Sequence, residues 1–227
     1  AETPGKVQRI QAVEPTLVEE QVTLLLNSFP IAAIKTGLLY SGGIVTQVAR
    51  CLRTRLRGLP LVIDPVMVAT SGDLLLHREA IEIYERELFP LAAVLTPNLD
   101  EAATLLGAEI PNLPAMRMAG KRLAEKYSVP ILLKGGHLGG DEAIDLLFVG
   151  DVVREFTAPF SKGVHTHGTG CTYSAAITAG LASGLALEES VARAKRYISA
   201  AIAQHFSWGK APSTLHALNH SPDGFLG

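Results

Sequence analysis

The chain has 227 residues, of which 48% are hydrophobic and 19% charged, so it can bury a sizeable core and is not a disordered segment. Its 20 basic and 22 acidic residues give a formal charge of −2, which excludes the electrostatic surface expected for binding DNA, RNA or an anionic membrane. The composition therefore favours a small-molecule partner.

Cysteine usage and hydropathy predict a cytoplasmic protein that does not enter the membrane. Cys51 and Cys171 lack the spacing of a disulfide framework or a zinc ribbon. The most apolar run, 175–187, is shorter than a membrane span and rich in small residues, which predicts a buried helix. The chain starts Ala1-Glu2-Thr3, with no initiator methionine and no signal pattern, so we expect either processing or a missing N-terminal piece.

The predicted elements alternate between strands and helices. A short strand over 7–13 is followed by a helix that begins at Pro15. Four apolar strands then recur about every thirty residues, the length of a β-α-β unit. These strands are predicted at 32–35, 61–64, 93–96 and 131–134, with amphipathic helices at 44–57, 78–88 and 114–127. The pattern predicts a single α/β domain with a mostly parallel sheet covered by helices on both faces.

The pattern changes after Lys134. Two strands at 144–149 and 152–157 flank a Gly-Asp turn, which predicts an antiparallel hairpin. Two long helices are predicted at 169–183 and 187–206, and the tail that follows them is expected to be loosely held.

Polar side chains follow three successive strands. Asp64 ends the second of the four apolar strands, Asn98 and Glu101 follow the third, and Lys134 ends the fourth. Ligands of open parallel sheets bind at this edge, and a magnesium–nucleotide site needs oxygen ligands and a cation. Taken alone, any one of these residues is better explained as a helix cap, as Asn98 would be for the helix that follows it. The three strand ends together favour a site.

The segment His167-Gly168-Thr169-Gly170-Cys171-Thr172 precedes a helix of small residues. Glycines at such a turn leave backbone N–H groups free to form an anion hole. No Gly-Lys-Ser/Thr follows, so the segment is not a Walker A loop. Cys171 would lie in the first turn, where the helix terminus lowers the pKa of a thiol and prepares it as a base. An alternative, which these residues leave open, is a small apolar side chain that only packs.

Taken together, the motifs resemble the hydroxymethylpyrimidine and phosphomethylpyrimidine kinases of thiamine biosynthesis, within the ribokinase-like superfamily. The resemblance runs from Ala1 to Phe206. It rests on four segments in the family's order, Asp64-Pro65-Val66-Met67, Thr96-Pro97-Asn98 with Glu101, Lys134-Gly135-Gly136-His137 and Gly168-Thr169-Gly170-Cys171. Cysteine at position 171 is typical of these kinases and of a minority of pyridoxal kinases, whereas most of the superfamily have Asp there.

The resemblance implies the cofactors ATP and Mg²⁺ and a nucleotide site. Lys134 and Thr169 would contact the nucleotide, and Asp64 would lie near the phosphates and the metal. Asn98 and Glu101 would organise Mg²⁺ through water.

The resemblance also implies the acceptor, a hydroxymethylpyrimidine that is phosphorylated first at its hydroxymethyl group and then as the monophosphate. Gly168 and Gly170 would form the anion hole, with Cys171 as the base. The pyrimidine pocket would be lined by Glu2, Gly37, Leu38 and Val66. Relatives have glutamine where this chain has Glu2.

Two other functions are compatible with the motifs, a pyridoxal-type vitamin kinase and a non-catalytic pyrimidine- or nucleotide-binding module. The retained phosphoryl-transfer residues argue against the module. The strand that opens the family's fold has no counterpart here, so we expect the exposed sheet edge to be covered by a partner subunit or by residues outside this sequence. On that ground we expect a homo-oligomer.

Overall fold

A computed structural model describes residues 2–3, 6–55, 58–67, 78–136, 138, 140–164, 166–209 and 214–225. For residues 2, 3, 6, 7 and 78 it describes the backbone only. The first two strands, β1 (Glu2–Thr3) and β2 (Lys6–Val7), pair with each other in an antiparallel ribbon.

A six-stranded sheet forms the centre of the fold. Its strands lie side by side in chain order: β3 (Ile34–Thr36), β4 (Leu61–Ile63), β5 (Val94–Leu95), β6 (Ile131–Lys134), β7 (Glu142–Val149) and β8 (Val152–Pro159). The first four are parallel, and β7 and β8 form an antiparallel hairpin. The predicted α/β class, parallel strands and hairpin are confirmed.

Seven α-helices connect and cover the strands within the described ranges. They are α1 (Pro15–Ser28), α2 (Gly42–Arg55), α3 (Arg78–Ile83), α4 (Leu99–Leu106), α5 (Leu113–Tyr127), α6 (Thr169–Ala182) and α7 (Leu187–Ala203). Proline at the first position of α1 and an Asn112 side chain that accepts from the amide of Ala115 explain two of the helix starts. The predicted helix over 78–88 is confirmed, although its second half, Tyr84–Leu88, is wound as a π-helix.

The two faces of the sheet carry separate cores. Leu61, Ile63 and Leu95 pack with residues of α2 to α5, whereas Val62 and Val94 pack with residues of α6 and α7. Because successive side chains of a strand point to opposite faces, neighbouring residues divide between the two cores. Helices on both faces are thus confirmed.

Three predictions about the ends of the chain are wrong. Residues 8–13 form no strand, because they are exposed and have no neighbouring strand to pair with. The second long helix ends at Ala203 rather than Phe206, and the described parts of the tail, 204–209 and 214–225, are held in place. They form the antiparallel pair β9 (Phe206–Trp208) and β10 (Leu215–Ala217) and bury Leu218 against the α6–α7 face.

Over the ranges that the structure covers, no helix is both long and apolar enough to span a bilayer.

Candidate active site

The structure brings the predicted polar residues to one edge of the sheet. The Lys134 ammonium lies 3.0 Å from Asp64 Oδ1, and only 13% and 3% of the two side chains are exposed. Asn98 lies next to Lys134 as its partner in a parallel bridge. The site is therefore centred on a buried ion pair that follows two different strands.

Asp64 accepts hydrogen bonds at both of its oxygens. Thr96 Oγ1 donates to Oδ1 at 3.3 Å, and Ser174 Oγ, from helix α6, donates to Oδ2 at 3.0 Å. Burial raises the pKa of Asp64, but the Lys134 charge and hydrogen bond outweigh burial and hold that pKa below its ordinary value. Burial also lowers the pKa of Lys134, and the carboxylates of Asp64 and Glu101 more than reverse this. Both members of the pair are consequently charged at neutral pH.

Helix α6 begins directly above this ion pair. Gly168 precedes the helix with φ 78°, a conformation that favours glycine, and its carbonyl accepts the amide of Thr172 at 2.8 Å. A Cβ at Gly170 would lie 3.3 Å from Lys134 Nζ and 4.0 Å from Asp64 Oδ2, so glycine permits the close approach. First-turn amides of a helix have no acceptor within the helix. The helix terminus and Lys134 thus converge on one point where an anion can bind.

The Cys171 thiol is exposed in the first turn of α6. Although the residue is exposed, surrounding protein atoms partly desolvate its sulfur, and this is the main cause that raises its pKa. The charge of Asp64 raises the pKa further, while Lys35 and Lys134 act in the opposite direction. The prediction of a lowered pKa is therefore wrong, because desolvation and the charge of Asp64 raise the pKa by more than the two lysines lower it. The thiol is protonated at neutral pH.

Asn98 and Glu101 form a reciprocal capping box at the start of α4. Asn98 Oδ1 accepts the amide of Glu101, and Glu101 Oε2 accepts the amide of Asn98, both at 2.8 Å. Glu101 Oε1 also accepts the amide of Met67 at 3.3 Å. Burial raises the pKa of Glu101. Through these hydrogen bonds Asn98 and Glu101 connect the start of α4 to the loop that follows β4.

The donor set fits magnesium only if a ligand supplies most of the coordination. Across the part of the chain that the structure describes, no three His, Cys, Asp or Glu side chains are grouped to hold a metal ion. Asp64 and Glu101 are nevertheless close enough for the charge of one to raise the pKa of the other. Mg²⁺ typically keeps several waters and takes one or two carboxylates plus substrate phosphates. The carboxylates of Asp64 and Glu101 at this edge match that pattern of magnesium coordination.

The residues predicted to line the acceptor pocket follow β3 and β4. The Gly37 carbonyl accepts the Tyr84 hydroxyl at 3.2 Å, and Leu38 is 46% exposed. Val66 is half-buried and has φ 42°, which is strained backbone for a β-branched residue. The side chain of Glu2 lies outside the described residues.

The Thr169 side chain contacts the preceding loop instead of pointing into open space. Its hydroxyl lies 2.7 Å from Thr166 Oγ1 and 3.3 Å from the Thr166 carbonyl. Thr166 also forms a bridge to His216 of β10. The tail and the helix terminus therefore fix this loop between them.

Two polar residues of the site were missed from sequence. Lys35 lies in β3, and its charge acts on both Asp64 and Cys171. Ser174 donates to Asp64 from α6. The lysine between Ile34 and Thr36 could have indicated Lys35, because a charged residue is unusual in a buried strand. The three-residue spacing of Cys171 and Ser174 could have indicated Ser174, because residues at this spacing lie on one side of a helix.

A cavity of about 660 Å³ adjoins the start of α6. Gly168, Cys171 and Thr172 line the end nearest the ion pair, and small residues of α6 continue the wall. Helix α7 and the tail provide the opposite wall through Arg193, Ala194, Tyr197, His220 and Phe225. The volume lies in the range of small-molecule pockets.

Comparisons with known proteins agree with the motifs. The family model described as phosphomethylpyrimidine kinase matches residues 1–216. The hydroxymethylpyrimidine/phosphomethylpyrimidine kinase of Rhizobium meliloti is 40% identical over 219 residues, which cover 95% of this chain and 82% of that protein. The thiamine biosynthesis bifunctional protein ThiED of Geobacter sulfurreducens is 41% identical over 214 residues, 93% of this chain. The match covers 44% of that longer protein.

Among solved structures, the ADP complex of Bacillus subtilis pyridoxal kinase superposes with a TM-score of 0.84 at 31% identity. The superposition covers 92% of this chain and 78% of the pyridoxal kinase.

Proposed function

Because the chain belongs to the phosphomethylpyrimidine kinase family and has the ribokinase-like fold of these kinases, we propose that it phosphorylates a hydroxymethylpyrimidine in two steps. ATP transfers its γ-phosphoryl group to the hydroxymethyl oxygen of 4-amino-5-hydroxymethyl-2-methylpyrimidine and then to the resulting monophosphate. The observation that carries this proposal is the buried Lys134–Asp64 pair beneath the start of α6.

Lys134 and the α6 terminus serve the phosphates. Phosphoryl transfer depends chiefly on positioning and on stabilising the charge of the transferred group. Asp64 holds the Lys134 ammonium in place, and the first-turn amides after Gly168 and Gly170 supply further donors. Fixed donors of this kind need no reorganisation during the reaction.

The nucleotide occupies the cavity between α6, α7 and the tail. Its base and ribose lie against the small residues of α6, which leaves the phosphates at Gly168 and Thr169. Mg²⁺, when bound, neutralises phosphate charge. Asn98 and Glu101 would hold it through water, with Asp64 nearby.

Gly37, Leu38 and Val66 form the acceptor pocket, since they follow strands adjacent to the ion pair. Glu2 accepts a hydrogen bond from the exocyclic amine of the pyrimidine. Cys171 then takes the proton of the hydroxymethyl group, and at neutral pH it does so from a small thiolate fraction.

A pyridoxal-type kinase is the second candidate function, favoured by the likeness to a pyridoxal kinase structure. ATP consumption with the hydroxymethylpyrimidine, its monophosphate and pyridoxal as separate acceptors distinguishes the two. We expect turnover with both pyrimidines to exceed turnover with pyridoxal. The reverse order would replace the proposed substrate, and nucleotide binding without turnover on any acceptor would indicate a non-catalytic module.

We also propose a cytoplasmic homo-oligomer. Within the described sheet β3 pairs only with β4, so one edge of β3 is open. Leu17, Leu24, Leu25 and Phe29 of α1 and its end are between 45% and 66% exposed. Burying that apolar surface against a second subunit would stabilise the chain. Sedimentation of the purified protein tests this, and a stable monomer would contradict it.

A further inference from the structure

The strand register places Lys35 on the same face of the sheet as Asp64. Ile34 and Thr36 pair with Leu61 and Ile63, whereas Lys35 pairs with Val62. Val62 belongs to the core beneath α6 and α7. Because Asp64 comes two residues after Val62, it faces that side as well, as its hydrogen bond from Ser174 of α6 shows.

Glycine at position 37 makes room for the Lys35 ammonium. A Cβ at Gly37 would lie 3.1 Å from Lys35 Nζ, closer than ordinary packing allows. The ammonium is therefore folded back over the segment proposed to line the acceptor pocket. Its positive charge lowers the pKa of both Asp64 and Cys171, which places it within electrostatic range of the anion hole.

Lys35 and Lys134 differ in how their charges are balanced. Lys134 has the Asp64 carboxylate at 3.0 Å. No carboxylate of the described residues lies within ion-pair distance of Lys35, although that side chain is half-buried. A partly buried cation with no paired carboxylate is suited to an anionic ligand.

The two acceptors of the proposed reaction differ in the same property. The hydroxymethyl compound is a neutral alcohol, while its monophosphate carries a charge of about −1.5 to −2 near neutral pH, as other phosphate monoesters do. Lys35 precedes the acceptor-pocket residues on β3, and two strands separate it from Lys134 on the nucleotide side. Its position thus matches the phosphate of the acceptor better than the phosphates of the nucleotide.

We propose that Lys35 binds the phosphate group of the monophosphate acceptor and is the residue that makes the second phosphorylation possible; this inference rests on the proposed function. In the second step an oxygen of the acceptor phosphate attacks the γ-phosphorus of ATP. The bond between that phosphorus and the bridging oxygen breaks, and ADP leaves with the bonding electrons. The attacking oxygen is already deprotonated, so this step needs no base.

The two steps therefore place different demands on the site. In the first step Cys171 removes the hydroxymethyl proton. In the second step Lys35 binds the acceptor phosphate, a second anion beside the transferred group. Substitutions at the two positions should have opposite selectivity for the two acceptors.

The test compares Lys35→Met, Lys35→Arg and Lys121→Met, the last being a control at a lysine whose side chain is 74% exposed. With ATP saturating, kcat and KM are measured separately for the alcohol and for the monophosphate. Lys35→Met should raise the KM for the monophosphate about tenfold to a hundredfold, the usual loss for a charge-assisted hydrogen bond. The KM for the alcohol should change by a much smaller factor. Lys35→Arg should recover part of the loss, and Lys121→Met should alter neither acceptor.

Calorimetric binding of the monophosphate without ATP separates this inference from the proposed function. Weaker binding to Lys35→Met than to the wild type supports the role of Lys35, even if turnover on either pyrimidine is never found. Equal losses for the alcohol and the monophosphate would overturn the proposal, because Lys35 would then act on the transferred group. Unchanged monophosphate binding in a folded Lys35→Met protein would overturn it as well.

Discussion

Within the residues that the structure describes, there are two buried lysine–aspartate pairs with similar geometry and different surroundings. Lys134 and Asp64 are 3.0 Å apart with 13% and 3% of their side chains exposed, and Lys195 and Asp145 are 2.7 Å apart with 8% and 4% exposed. The pairs are neighbours, since Asp145 of β7 lies directly opposite Lys134 of β6. One pair is at the proposed phosphate site, and the other is behind it.

The difference lies in how many protein acceptors each ammonium has. Lys195 Nζ donates to Asp145 Oδ2 and also to the Ala143 carbonyl, and Asp145 Oδ1 accepts the amide of Gly135. Among the hydrogen bonds of the described residues, Lys134 Nζ donates to Asp64 alone. An ammonium has three donors, so Lys134 retains donor capacity for a ligand. Lys195 uses two of its three donors and Lys134 uses one. We call Lys195–Asp145 the sealed pair, which is structural, and Lys134–Asp64 the open pair, which is available for chemistry.

The sealed pair should give the largest effect on stability. Lys195→Met leaves the Asp145 carboxylate buried without its cation, which typically costs about 3–5 kcal/mol. Urea denaturation should show this loss in the free energy of unfolding, with Lys121→Met as an exposed control. A Lys195→Met protein as stable as the wild type would show that water or another group already solvates Asp145.

The open pair should affect activity more than stability. Lys134→Met should lower kcat/KM for ATP about 10²–10³-fold, the usual loss when one fixed donor to a transition state is removed. Asp64 keeps its bonds from Ser174 and Thr96, so the variant should lose less stability than Lys195→Met. The same steady-state assay on folded Lys195→Met provides the contrast. Unchanged kinetics in Lys134→Met would remove this lysine from the site.

Substitution of Cys171 tests the acceptor side of the open pair. Cys171→Ala should reduce turnover of the alcohol by about 10²-fold, the lower end of general-base effects, and leave the affinity for ATP almost intact. Cys171→Asp should restore part of that turnover if proton removal is the role of this residue. If the cysteine only packs, the alanine variant should instead outperform the aspartate variant, because aspartate adds a second negative charge within range of Asp64.

The pH dependence of turnover should show the smallest effect, and it tests which of the two pairs acts on the Cys171 thiol. Because the pKa of Cys171 is raised, its thiolate fraction grows only in the alkaline range, so turnover of the alcohol should rise with pH there. Cys171→Ala should lose that rise. Removing Lys134, whose charge lowers the pKa of Cys171, should move the rise to higher pH, while Lys195→Met should leave it in place. Equal shifts in both lysine variants would mean that the sealed pair also acts on the thiol.

The fold and the main residues of the site could be predicted because they depend on short sequence patterns. Apolar strands spaced by amphipathic helices indicated the parallel sheet, and the residues that end those strands, Asp64 and Lys134, met at its edge as parallel topology requires. Lys35 was missed because its role depends on the register between β3 and β4. The predicted pKa of Cys171 was wrong because its main causes, desolvation of the thiol and then the charge of Asp64, depend on tertiary contacts.

The tail was mispredicted for a related reason. Its prolines and glycines suggested a loosely held segment, yet Tyr197 donates to the His220 carbonyl, and Gln204 Oε1 accepts the amide of Asp223. These contacts depend on α7 being in place. Local composition contains no information about a surface that a different segment provides.

The order of the elements along the chain is also the order in which they emerge during synthesis. Every residue of the six-stranded sheet precedes the first residue of α6, and the α7 and tail walls of the cavity follow later still. All strands of the sheet therefore emerge from the ribosome before the walls of the cavity are complete, since chains emerge from the N-terminus onward. While the segment around His220 and Phe225 is still in the exit tunnel, the nascent chain lacks one wall of the cavity, because those two residues line it. Nucleotide present in the cell can help to fold the cavity only after that segment has emerged.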